Sequence, residues 1–113
     1  MAFENTVLVK GDQGYRISPE IKAFTLRDLG FVLNNAGAFV QTDMLEPEKG
    51  YSASRKLKIT FTKDLTAFKL SLLSGNEAIN IDIFSNPKDK ALVEQYRFFM
   101  KQLIDRKVIE TIS

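Results

Sequence analysis

Three stretches of the chain alternate polar and apolar residues without a break: Lys56-Leu57-Lys58-Ile59-Thr60-Phe61-Thr62-Lys63, Phe68-Lys69-Leu70-Ser71-Leu72 and Ile79-Asn80-Ile81-Asp82-Ile83. A period of two means that one face is buried and the other wet, so each reads as a half-buried β-strand. A two-residue turn at Asp64-Leu65 sets Phe61 opposite Phe68, Ile59 opposite Leu70 and Leu57 opposite Leu72, which keeps the apolar sets in phase. The same count across Ser74-Gly75-Asn76-Glu77 sets Leu72 by Ile79, Leu70 by Ile81 and Phe68 by Ile83. The expectation is a three-stranded meander with one greasy face. On its wet face Lys69 would sit across from Asp82.

A second pattern follows. From Lys88 to about Lys107, Leu92, Val93, Tyr96, Phe99, Met100, Leu103 and Ile104 fall on one arc of about 140° at 100° per residue. Lys90, Glu94, Arg97, Lys101 and Asp105 fall opposite. Asn86-Pro87 supplies a helix start, with Asn86 or Ser85 as cap. This long helix is expected to cover the greasy face of the meander.

The first half of the chain is less regular. Thr6–Lys10 and Tyr15–Ile17 read as a hairpin around Gly11-Asp12-Gln13-Gly14. Ser18-Pro19-Glu20 reads as a helix start, with a second start and its own capping box at Thr25-Leu26-Arg27-Asp28 and a stop at Gly30. Phe31–Leu33 and Ala38–Thr42 flank the turn-rich Asn34-Asn35-Ala36-Gly37 as another hairpin. Met44–Ser54, with Pro47 and Gly50, reads as a loop. The predicted class is α+β, one domain over 1–113: an antiparallel β-sheet with the long C-terminal helix packed on one face and a short helix near the N-terminus. The element order is like a TATA-binding-protein-like or helix-grip arrangement, an analogy of fold and not of function.

Composition narrows the chemistry. The 113 residues contain no Cys and no His. Disulfides, thiolate chemistry and the usual zinc and copper sites are therefore not expected, and the commonest general base is missing. No cofactor is expected, and no catalytic, cofactor-binding or metal residue is assigned. Net charge is +2. The first 54 residues are acidic on balance and the rest basic. No run of apolar residues approaches a membrane span, and the start Met1-Ala2-Phe3-Glu4-Asn5 lacks the features of a secretory signal, so the expected location is the cytoplasm.

Two candidate sites emerge. Phe98 breaks the pattern of its helix by lying opposite the apolar arc. With Ala91, Glu94 and Lys101 around it, it is a candidate protein contact or homodimer surface, unless Met44–Ser54 folds over it. Asp43, Glu46 and Glu48 cluster with Tyr51 and Arg55 in the long loop, where carboxylates could serve a hard cation or acid–base work, although no calcium-loop spacing is present. A Ser–Lys pair of Ser54 with Lys56 or Lys58 lacks any nucleophile-elbow context. The Gly11–Gly14 turn lacks phosphate-loop spacing. The wet sheet face carries lysines but no interleaved aromatics, which argues against nucleic acid.

The opening Met1–Val7, the Gly30-Phe31 junction, Leu57-Lys58-Ile59-Thr60 with Lys63-Asp64-Leu65 and Phe68-Lys69-Leu70, and Glu94-Gln95-Tyr96-Arg97-Phe98 together resemble a small family of lactic acid bacteria. That family is a domain of unknown function labelled with amino acid metabolism. The resemblance spans the chain and implies a link to amino-acid or sulfur metabolism. It brings no catalytic residues. The reading from sequence is a non-enzymatic protein-binding or accessory domain. The alternative is a small-ligand-binding protein with a pocket between sheet and long helix. A nucleic-acid-binding sheet face ranks third.

Overall fold

A computed structural model describes residues 3–112. Two antiparallel sheets and two helices share one core. β1 (Thr6–Leu8), β2 (Gly14–Ile17) and β7 (Ile109–Ile112) form a three-stranded sheet in the order β1-β2-β7. β3 (Val32–Leu33), β4 (Phe39–Met44), β5 (Lys56–Phe61) and β6 (Phe68–Leu73) form a four-stranded sheet in sequence order. α1 (Ala23–Asp28) is short, and α2 (Lys90–Asp105) has 16 residues. The architecture is α+β as expected, but it is built on two sheets where one was anticipated.

The strongest alternation gives the predicted register. Phe61 pairs with Phe68, Ile59 with Leu70 and Leu57 with Leu72. The rings of Phe61 and Phe68 stack 5.3 Å apart, as such close cross-strand neighbours do. Leu70 is 3% exposed. Leu92, Tyr96, Met100 and Leu103 of α2 join the same core cluster, together with Val7, Tyr15 and Ile109 of the smaller sheet.

The third strand does not form as expected. Only one bridge, Leu73 to Asn80, stands where a ladder was predicted. Its register is displaced by two residues: the Ile81 amide donates to the Leu72 carbonyl, and Ile79, 64% exposed, lies outside the core. Asp82 ends the pairing. Its Oδ1 accepts from the Phe84 amide at 2.8 Å, a local turn that competes with the ladder. Lys69 is therefore not the neighbour of Asp82; its ammonium lies 4.6 Å over the ring of Phe3.

The helix ends explain two further differences. Ser18 does start a turn, accepting from the Glu20 amide, but its own amide donates to Val108 in continuation of the β2–β7 pairing. The helix begins only at Ala23 and runs through Thr25–Asp28, so neither predicted start is used. Gly30, with φ +97°, closes it by a Schellman pattern in which Phe31 N–H reaches Leu26 C=O. The C-terminus of α2 closes in the same way on Lys107, at φ +61°, with Val108 N–H donating to Leu103 C=O at 2.9 Å. That reversal sends Ile109–Ile112 back along β2 as a strand that sequence reading did not propose. Its Val-Ile-Glu-Thr-Ile composition was the available signal, but no glycine marked the stop.

Candidate functional site

The two sheets touch and then part. The Glu4 and Phe68 backbones exchange hydrogen bonds of 3.0 and 2.7 Å, tying the entry of β1 to one end of β6. At the other end, Leu72 and Leu73 hold the Asn80–Ile81 segment. Among the described residues no backbone group pairs with Leu70 on the edge of β6 that faces away from β5. A cleft of about 240 Å³ opens there, walled by Val7, Val9, Leu70, Leu72, Ile81 and Phe84. Lys10, Asn80 and Asp82 stand along it. Both the carboxylate of Asp82 and the ammonium of Lys10 are at exposed residues, and no ion pair joins them. Asp82 is held below the usual carboxylate range, chiefly by the hydrogen bond from the Phe84 amide and in part by the charge of Lys10. Two other depressions are larger, about 550 Å³ beside Arg16 and Leu65 and about 450 Å³ beside Phe24 and Arg106, but they are flatter and more polar. Enclosure by apolar walls, not volume, favours the cleft.

No residue of α2 lines this cleft. The expectation of a pocket between sheet and long helix is corrected: the helix face there is filled by Leu92, Tyr96, Met100 and Leu103. Sequence reading missed the site because the cleft depends on how two sheets diverge, and the smaller sheet needs the unforeseen β7.

The loop residues divide. Glu46, 4% exposed, accepts from Arg55 through Nε at 3.1 Å and Nη2 at 2.9 Å, and pairs with Lys49 at 2.9 Å. Arg55 also reaches Asp89 at 3.0 Å, at the start of α2. This network holds the Glu46 carboxyl down at about 2, first through its bonds to Arg55, and drives the Arg55 guanidinium further up. Its carboxylate is fully engaged in fastening the loop to the helix. Glu48 is exposed, and Tyr51 lies 4.4 Å over the ammonium of Lys56. Lys56, expected on the wet face, is 1% exposed and donates to the carbonyls of Ser54 and Gly75. The Ser54 hydroxyl is occupied by the Glu46 amide and the Arg55 carbonyl, so no Ser–Lys pair forms. Among the described residues no group of three or more Asp or Glu could hold a metal ion.

Asp43 stands apart from that network. It lies in β4 opposite Leu57, on the core side of the sheet, and burial raises its carboxyl to about 6. The two carboxyls have opposite pH signatures. Glu46, depressed in the fold, contributes stability that is present above its ordinary 4.5 and is lost as pH falls toward 2. Asp43, raised in the fold, contributes most below its ordinary 3.8 and loses that contribution as pH rises through about 6. Asp43→Asn is therefore expected to raise the unfolding midpoint relative to wild type at pH 7 and to show no such gain at pH 3.5. A thermal unfolding series across pH checks this; an equal shift at both ends contradicts the burial of Asp43.

The outward position of Phe98 is the one its helical pattern gives. Phe98 is 60% exposed, and Ala91, Glu94 and Lys101 are exposed beside it. The 44–54 loop does not cover it; it is folded instead against the turn at Gly75, where an added β-carbon would meet the carbonyl oxygens of Ser52 and Ala53 at 2.9 Å.

An α+β domain with a split pair of sheets and an apolar cleft along the split defines the class of protein. No helix among the described residues is long and apolar enough to cross a membrane. The chain belongs to the DUF1831 family, described as "Putative amino acid metabolism", whose model matches residues 1–110. It is similar to a solved protein of that family, lp2179 from Lactobacillus plantarum, at 40% identity over 99% of each chain with a TM-score of 0.90. Among curated proteins none matches.

Proposed function

We propose that this domain is a non-enzymatic, cytosolic binding protein whose cleft between β1 and β6 takes a small apolar α-amino acid. The observation that carries the reading is the cleft itself: apolar walls with one cation, Lys10, and one anion, Asp82, along it. Its 240 Å³ lies below the range of about 300–1,000 Å³ used by drug-sized ligands, so a small metabolite fits its scale. A zwitterion would set its carboxylate toward Lys10 and its ammonium toward Asp82 while its side chain lies on Leu70, Leu72 and Ile81. The family's description points to the same chemistry. Among the described residues neither the Ser71 hydroxyl nor the Lys10 ammonium of the cleft is hydrogen-bonded to a carboxylate that could activate it, which favours binding over catalysis. The sequence alone placed protein contact ahead of ligand; the cleft reverses that order.

Calorimetry with L-leucine and L-phenylalanine tests this. Saturable heat is expected, weakened about tenfold by Lys10→Gln, in keeping with the loss of one charge-assisted contact. 3-Methylbutylamine and 4-methylpentanoate, each lacking one head charge, should bind more weakly than leucine. No heat from any apolar amino acid at millimolar concentration would overturn the reading.

A further inference from the structure

The exposed face of α2 carries a charge pattern that is complementary to itself. Lys90, Glu94, Phe98, Lys101 and Asp105 lie within about 80° of one another around the helix. Along the axis they read plus, minus, phenylalanine, plus, minus, and all five are exposed. Antiparallel pairing of two such helices about a two-fold axis between Arg97 and Phe98 brings Lys90 against Asp105 and Glu94 against Lys101, in both directions. Parallel pairing in register brings every charge against its like. The match arises because Lys90/Glu94 and Lys101/Asp105 are two i,i+4 pairs of the same polarity, so reversing one helix sets opposite charges together at both.

The geometry points to self-association of this protein as an antiparallel α2–α2 dimer centred on Phe98. Phe98 supplies the apolar centre, backed edge-to-face by Phe99 at 5.7 Å, and the four charges form the rim. Ala91, small and exposed, does not hold the helices apart. The existing Lys101–Asp105 pair, 2.6 Å and exposed on both sides, exchanges an intrahelical partner for an intermolecular one at little cost. Arg97 stays outside the seam, because it is fixed to Asp12 at 2.9 Å. A helix of 16 residues, about 24 Å long, makes a small interface, so the dimer belongs to the weak class. The cleft is lined by none of these residues, so the dimer and the ligand reading stand or fall separately.

Sedimentation at protein concentrations up to about 1 mM reads the association. Wild type is expected to shift from monomer to dimer, and Phe98→Ser to remain monomeric with an unchanged unfolding midpoint, since its ring contributes little to the core. The decisive arm uses Glu94→Lys and Lys101→Glu. Each alone sets like charges across the seam and should weaken association at least tenfold. An equimolar mixture of the two restores opposite charges at both positions and should recover a heterodimer. That recovery cannot come from a change in folding stability. A wild type that stays monomeric at 1 mM, a Phe98→Ser variant that still dimerises, or a mixture that fails to recover association overturns the proposal.

Discussion

Replacing Leu70 with Ala is expected to destabilise the domain by roughly 2–5 kcal/mol, the range for deleting a large aliphatic side chain from a packed core. Leu70 is 3% exposed and stands directly opposite Ile59, at the middle of β6. It is also a wall of the cleft. Space on that side lets neighbours relax toward the vacancy, so the lower half of the range is expected. Chemical denaturation reads the loss directly. A midpoint close to wild type would mean that the core face of β5 and β6 is not buried as described.

The second large effect is expected at Asp12, in the turn between β1 and β2. Its Oδ2 accepts from the Tyr15 hydroxyl at 2.6 Å and from the Tyr96 hydroxyl at 2.8 Å, while Oδ1 accepts from Arg97 at 2.9 Å. Both tyrosines are buried, at 2% and 0% exposure, and burial first raises both phenols above their ordinary range, with Asp12 next for Tyr15 and the neighbouring Tyr15, then Asp12, next for Tyr96. One carboxylate thus ties the small sheet to α2. Asp12→Ala removes the acceptor of two buried hydroxyls, each costing about 1–3 kcal/mol when left unmade, less whatever solvent entering from the Arg97 side recovers. Asp12→Asn keeps an acceptor oxygen and should recover a good part of the loss. Equal destabilisation by Ala and Asn would show that charge, not hydrogen bonding, is what Asp12 supplies.

The contrast between Leu70 and Asp12 shows what sequence makes legible. Leu70 is read from periodicity, because strict alternation in Leu57–Phe61 and Phe68–Leu72 leaves one register that buries both apolar sets. The apolar arc of α2 and the outward Phe98 are read in the same way. Asp12 sits in a turn of glycines and polar residues, where nothing local announces that Tyr96, 84 residues away, joins the nearby Tyr15 on its carboxylate. The Glu46–Arg55–Asp89 network is similar: the residues were noticed as a cluster, but a cluster in sequence does not reveal that they satisfy one another.

The third strand fails for another reason. Ile79, Ile81 and Ile83 alternate as well as any strand here, but a turn with Glu77 at φ +62° shifts the register, and Asp82 bends the chain away after one bridge. Periodicity states which side is apolar, not whether the ladder continues. That bend sends Ile81 and Phe84 to the cleft wall and leaves Asp82 at its edge, so the departure from regular structure is also what makes the site. The remaining wall comes from β1, whose position depends on β2, β7 and a helix stop at Lys107 that carries no glycine.

The cleft is the central claim, and amide chemical-shift mapping with L-leucine tests it most directly. On titration, shifts are expected to concentrate at Val7, Val9, Lys10, Leu70, Leu72, Ile81 and Phe84 and to saturate together, with one dissociation constant. Saturating shifts confined to the depression beside Phe24 and Arg106, or a spectrum unchanged by leucine and phenylalanine alike, would contradict it.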